Sequence, residues 1–168
     1  MGDDLAQRMI DASELHGDFE LSSGARSSVY FDKFRFLTKP DLLRDVARAV
    51  AVKLPGGVEL LAAPEGAAML LVAAVALETG LPLAVVRKQP KEYGTRAQVE
   101  GEVPPGAEVA LIEDVSTTGH QVRRAAEILS EAGGKIRIIV LAIDRGGANH
   151  LREAGYEVDA LAVIEPRA

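Results

Sequence analysis

The sequence predicts an α/β fold, a mainly parallel central sheet flanked by helices. Two observations carry this. From residue 57 onward, short segments that are apolar on both faces alternate with helical patterns. Strands of that kind need cover on both sides of a sheet, and the alternation makes the sheet parallel. Ahead of residue 38 the pattern differs and reads as a helix followed by a hairpin. With 168 residues and no internal repeat, low-complexity tract or linker, the chain reads as one domain over 1–168.

The elements follow in order. Residues 3–16 read as a helix with Leu5, Met9, Ile10 and Leu15 on one face, ended by Gly17. Residues 19–36 read as a strand, a Ser/Gly turn and a second strand. Thr38 and Pro40 open a helix whose buried stripe is Leu42, Leu43, Val46, Val50 and Leu54. Then come a strand at 57–64, a mostly buried helix at 66–80, a strand at 82–88 and a polar stretch at 89–106. The remainder is a strand at 108–115, a helix at 119–132, a strand at 135–145, a short helix at 148–154 and a last strand at 158–164.

Composition narrows the function classes. Aromatic residues are only 4%, so Ala, Val, Leu and Ile must fill the core. The net charge of −6 argues against a nucleic-acid face, while leaving room for a local anion site. The chain has no cysteine, which excludes disulfides and thiolate metal sites and fits a cytoplasmic protein. The acidic, amphipathic N-terminus is unlike a signal peptide, and the apolar stretch Ala67 to Leu77 is too short to span a bilayer. No membrane association is expected. His16, His120 and His150 lack metal-ligand spacing.

In a parallel α/β sheet, ligands bind beyond the carboxyl ends of the strands. The chemistry is therefore expected around 64–67, 87–94, 113–120 and 144–147. The run "ALIEDVSTTGHQV" (110–122) is the most informative. Its strand delivers Glu113 and Asp114 to the active edge. Ser116, Thr117, Thr118, Gly119 and His120 then form a loop leading into a helix. Such a loop offers free N–H groups, hydroxyl donors and the positive end of a helix dipole, which together cradle a phosphate. Acids accept hydrogen bonds from sugar hydroxyls, so acids beside a phosphate cradle point to a ribose phosphate. A nucleoside-triphosphate loop would need a lysine after the glycine, where this chain has His120.

This run resembles the phosphoribosyl-diphosphate (PRPP) binding motif of type I phosphoribosyltransferases. The resemblance implies that fold, with residues 1–37 contributing a small N-terminal hood. It further implies that Glu113 and Asp114 bind the ribose 2- and 3-hydroxyls and that residues 116–120 hold the 5-phosphate. Thr117 would also sit near the base. "VRKQPKEYGTRAQVEG" (86–101) resembles the catalytic loop of the orotate members. Arg87, Lys88 and Lys91 are then expected on the diphosphate, with Lys91 on a mobile loop, 89–101, that reaches a neighbouring subunit's site in a homodimer. Lys91, Lys88 and Asp114 are the catalytic candidates. Tyr93 stands where many members have histidine and carries no cation at neutral pH.

"FELSSGARSSVYFD" (19–32) is similar to the segment that helps form the hood over the base, and Arg26 keeps a positive charge there; Tyr30 and Phe31 read as core. "AIDRGG" (142–147) places Arg145 where the orotate enzymes grip the base's carboxylate, a task suited to a guanidinium. "AAPEGAAML" (62–70) occupies the place of a Gly-rich diphosphate loop but offers Glu65, Gly66, Ala67 and Ala68. Glu65 there is expected to oppose an anion unless it points away or helps hold magnesium. The resemblance implies orotate and PRPP as substrates, Mg²⁺ as cofactor and an oxocarbenium-like transition state. The rival readings are a phosphoribosyltransferase for another base and a PRPP-binding regulator without turnover.

Overall fold

The computed structural model describes residues 2–20, 24, 26–90 and 98–164. Helix α1 (Gly2–Ser13) leads into a two-stranded antiparallel hairpin, β1 (Glu14–Glu20) and β2 (Arg26–Phe31). Helices α2 (Phe34–Leu37) and α3 (Pro40–Lys53) connect it to the main body. There β3 (Leu60–Pro64), α4 (Ala68–Thr79), β4 (Leu83–Val86), β5 (Val99–Glu100), β6 (Glu108–Ser116), α5 (His120–Glu131), β7 (Lys135–Asp144), α6 (Gly147–Glu153) and β8 (Val158–Val163) follow in turn. The six strands order as β5-β4-β3-β6-β7-β8, parallel except for β5 against β4.

Side-chain alternation divides the core between the two faces of this sheet. Leu61 and Ala63 of β3, Ala110 and Ile112 of β6, and Val140 and Ala142 of β7 pack with Val46 and Val50 of α3 and Leu71 and Val75 of α4. Leu60, Ala62, Val109, Leu111, Ile139 and Leu141 face the other way, onto Val122 and Leu129 of α5 and Leu151 of α6. Since α4 and α5 lie on opposite faces, the chain leaves β3 and β6 in opposite directions. A crevice opens between the carboxyl ends of those two strands, the place where open α/β sheets bind ligands.

Four local expectations need correction. The first helix stops at Ser13, whose hydroxyl bonds the Met9 carbonyl, and residues 14–16 are strand because Glu14, Leu15 and His16 pair with Phe31, Tyr30 and Val29. Gly17 lies at the bulge of that hairpin and ends no helix. The second strand ends at Phe31, and 34–37 forms a helical turn started by the Asp32 carboxylate, which accepts the Phe34 N–H at 3.0 Å. The 89–106 stretch contains β5, pairing Val99 and Glu100 with Val86 and Val85.

Beyond the sheet's carboxyl edge, the β6–α5 loop and the β7–α6 turn meet backbone to backbone. A Cβ on Gly119, itself at φ 77°, would lie 2.9 Å from the Gly147 carbonyl. One on Gly147 would lie 2.0 Å from the Ser116 hydroxyl and 3.0 Å from the Gly119 nitrogen. Gly147→Ala is therefore expected to destabilise the protein by about 1–3 kcal/mol, as overpacking does. Adding Ser116→Ala should recover part of the loss in thermal unfolding. An unchanged melting temperature for Gly147→Ala would show that the turn is looser than this.

Candidate active site

The two acids of β6 are the most buried charged groups at the carboxyl edge. Asp114 is 0% exposed and Glu113 is 4% exposed. The strand expected over 108–115 runs one residue further, to Ser116, which pairs with Asp144 of β7. The carboxyl of Glu113 folds back so that its Oε1 accepts the Asp114 backbone N–H at 3.1 Å. Burial pushes the Glu113 carboxyl well above the usual carboxylate range, and Asp114 adds to this by side-chain hydrogen bond and like charge. The Asp114 N–H and the Lys33 ammonium oppose the shift without cancelling it.

Lys33, from the chain just after the hairpin, supplies the counter-charge. Its Nζ bonds Asp114 Oδ1 at 3.3 Å and stands 3.0 Å from Oδ2, where the angle does not make a hydrogen bond. Oδ2 is thus a buried acceptor without a hydrogen-bond partner among the described residues. The ammonium 3.0 Å away offsets part of its charge, and the oxygen keeps room for another donor.

The other expected residues fall into three groups. Ser116 is a strand residue, buried against Gly147, with its carbonyl accepting the Arg145 N–H at 2.8 Å. Its hydroxyl faces the β7–α6 turn and has no partner among the described residues. Thr117 and Thr118 are exposed, Gly119 caps α5 in the left-handed conformation, and His120 begins that helix with its N–H 3.4 Å from Thr118 Oγ1. These four do form a loop at the start of a twelve-residue helix, beside a groove of about 470 Å³ lined by Thr118, His120, Arg123 and His150. A cleft of about 590 Å³ between α1 and the start of α3 lies apart from the acids.

Arg145 follows β7, its backbone set by Asp144, whose Oδ1 accepts the N–H groups of Gly146 and Ala148. Its guanidinium lies over the Phe31 ring, 5.0 Å from the centroid. Phe31, expected as core, is half-buried and packs against the core as well as under Arg145, while Tyr30, also expected as core, is exposed and packs on Phe19. Arg87 pairs with Glu100 at 3.4 Å, Lys88 is exposed, and Lys91 and Tyr93 lie outside the described residues. Arg26 pairs with Asp18 across the hairpin, away from the acid pair. Glu65 points to β4, where its carboxylate accepts the Lys88 N–H at 2.8 Å. The residue missed from sequence is Lys33. Its only signal was its place just past the end of a hood strand.

The phosphoribosyl transferase domain family matches residues 38–164. The chain belongs to the phosphoribosyltransferase family. Among these phosphoribosyltransferases, the orotate phosphoribosyltransferase of Pyrococcus furiosus is 42% identical over 164 residues, covering 94% of this chain and 90% of that one. The crystal structure of the orotate phosphoribosyltransferase from Aeropyrum pernix superposes with a TM-score of 0.77 at 31% identity, covering 97% of this chain and 93% of that one. The Mycobacterium tuberculosis enzyme in complex with Fe(III) dicitrate has a TM-score of 0.84 over 97% of this chain and 96% of that one; at 24% identity it bears on the fold alone. Among the described residues of this phosphoribosyltransferase, no helix is long and apolar enough to cross a membrane, and no three acids or histidines group as a metal cage.

The raised Glu113 carboxyl has a consequence for stability. Between the ordinary carboxyl value of 4.5 and the raised one, the folded chain binds more protons than the unfolded chain. The contribution of Glu113 to stability therefore falls as pH rises through that window. Glu113→Gln, which cannot ionise, should be the more stable protein in denaturant titrations at neutral and mildly alkaline pH. The gain should shrink toward pH 4.5. Parallel stability curves at all pH values would refute the assignment.

Proposed function

We propose that this chain transfers the 5-phosphoribosyl group from PRPP to orotate, giving orotidine 5-monophosphate and diphosphate in pyrimidine biosynthesis, as a cytoplasmic enzyme. The observation that carries this is the buried acid pair, with its unpartnered Asp114 oxygen, directly ahead of the loop that begins α5. The relatives named orotate phosphoribosyltransferase support the choice of base.

In this reading Glu113 and Asp114 accept the ribose hydroxyls, and Thr117, Thr118, Gly119 and His120 hold the 5-phosphate with Ser116 fixing the loop. The hood, residues 1–37 of a single domain, covers the base, and Arg26 lends it positive charge. Arg145 grips the orotate carboxylate from its seat on Phe31. A ring nitrogen of orotate bonds to C1 of the ribose as the C1–oxygen bond to diphosphate breaks, and the proton that nitrogen carried passes to the departing diphosphate. Arg87 and Lys88, with Lys91, neutralise the charge that collects on the leaving group. Arg87 must leave Glu100 to do so.

Mg²⁺ fits this site in one way. It favours a few carboxylates plus substrate oxygens over an all-protein cage, and the described residues build no such cage. The protein would hold it indirectly, through the diol that Glu113 and Asp114 bind; the ion would supply charge neutralisation at the diphosphate.

Loss of orotate absorbance on adding PRPP and Mg²⁺ tests the reaction. Turnover of adenine or hypoxanthine in its place would favour another base, and PRPP binding without any product would favour a regulator. Arg145→Ala should raise the KM for orotate at least tenfold, the cost of a charged hydrogen bond, and leave that for PRPP nearly unchanged. Equal losses would remove Arg145 from the base subsite.

The chain is further proposed to act as a homodimer, with the 89–101 loop reaching the partner's site. Helix α4 is apolar on its outer side as well as its inner one: Met69, Leu70 and Leu77 are exposed, Leu77 at 89%. A helix apolar all round is normally covered, and a second copy of this chain would cover it. Leu77→Arg should shift the mass seen by light scattering from dimer to monomer. A parent already monomeric at high concentration would rule this out.

A further inference from the structure

Lys33 makes the ion pair that joins the chain after the N-terminal hairpin to the acid pair of β6. The two oxygens of Asp114 are not equivalent. Oδ1 takes the hydrogen bond from Lys33, while Oδ2 lies near the same nitrogen and receives none. The ammonium stands 3.3 Å from Oδ1 and 3.0 Å from Oδ2, and a carboxylate can accept several donors at once, so Lys33 holds the group and leaves Oδ2 able to take a further donor.

The backbone that carries Lys33 is itself pinned. The Asp32 N–H bonds the Ser13 carbonyl at 2.9 Å, and the Asp32 carboxylate starts α2. Two residues before Lys33, Phe31 lies under the Arg145 guanidinium. One three-residue segment therefore touches both the ribose-side acid and the base-side arginine. With a hydrocarbon at position 33, the buried Asp114 carboxylate would lose its hydrogen bond on Oδ1 and its counter-charge.

We propose that Lys33 is a positioning residue: it fixes the Asp114 carboxylate through Oδ1 and so presents Oδ2 to a ribose hydroxyl. Through Phe31 the same segment sets the base subsite, so the two substrates are placed by one piece of chain. This inference rests on the PRPP reading of the acid pair.

The test uses the full chain with Lys33→Met and Lys33→Arg, and ribose 5-phosphate, PRPP and inorganic diphosphate as separate calorimetric probes. Lys33→Met should weaken ribose 5-phosphate and PRPP by about tenfold or more, the size of one lost charge-assisted hydrogen bond. Diphosphate, held by Arg87 and Lys88, should change less than about twofold. Lys33→Arg should restore most of the loss. Lys33→Gln serves in place of Lys33→Met if the latter does not fold.

A purely structural role predicts that all three probes weaken together without rescue by arginine, and that result overturns the inference. So does a Lys33→Met protein that binds ribose 5-phosphate as tightly as the parent, because Lys33 would then merely cover the acid. A parent that binds neither ribose 5-phosphate nor PRPP overturns the reading beneath, and the inference falls with it.

Discussion

Two carboxyl groups on adjacent residues, both buried at the end of one strand, set the terms for the rest of the active edge. Such a pair is unfavourable twice over, through desolvation and through like charge. Two groups offset it, the Asp114 N–H that bonds Glu113 and the Lys33 ammonium on Asp114. The first is local and comes with the strand. The second must be brought from residues that precede the whole central sheet. Without the chain that the hairpin leads into, the acid pair loses a counter-charge. On the proposed reading, a ribose diol supplies further donors to this pair.

The sheet order places this pair where both neighbours of the crevice can reach it. β3 sends its chain to the α4 face and β6 to the α5 face, so neither following loop blocks the other. On the far side, β6 and β7 stay paired as far as Ser116 and Asp144. That long ladder carries the Arg145 turn forward to the end of β2, where Phe31 meets it. The close approach of Gly119 and Gly147 locks the β6–α5 loop to the same turn. The three proposed subsites thus share one rigid base, although their residues come from distant parts of the chain.

Much of this was legible in the sequence, for identifiable reasons. Parallel strands buried on both faces leave continuous apolar runs, and every strand of the central sheet with such a run was found. β5 was missed because two residues beside a polar stretch carry no period; it exists only because β4 offers an edge. The end of α1 was misplaced because residues 14–16 continue a helical pattern, and cross-strand pairing with Val29 to Phe31 overrides it. The acids, the loop after them and Arg145 were visible as local motifs at strand ends. Lys33 was not, since its role comes from a contact with a residue 81 positions away. Ser116 was assigned to the loop because hydroxyl residues follow one another there, but the ladder with β7 holds it in the strand.

The segment that departs furthest from the family pattern, 62–70, is also explained by position. Glu65 stands where an anion is expected, and a glutamate aimed at the crevice would repel it. Its carboxylate instead accepts the Lys88 N–H, while its own N–H bonds the Val86 carbonyl at 2.8 Å. The side chain thus joins the β3–α4 turn to the end of β4, directly behind Arg87 and Lys88. Its negative charge remains nearby, however, and no lysine of this turn balances it. On the proposed reading, the leaving-group subsite therefore depends on Arg87 and Lys88, which follow β4. On that reading the turn after β3 gives shape, and the residues after β4 give the charge.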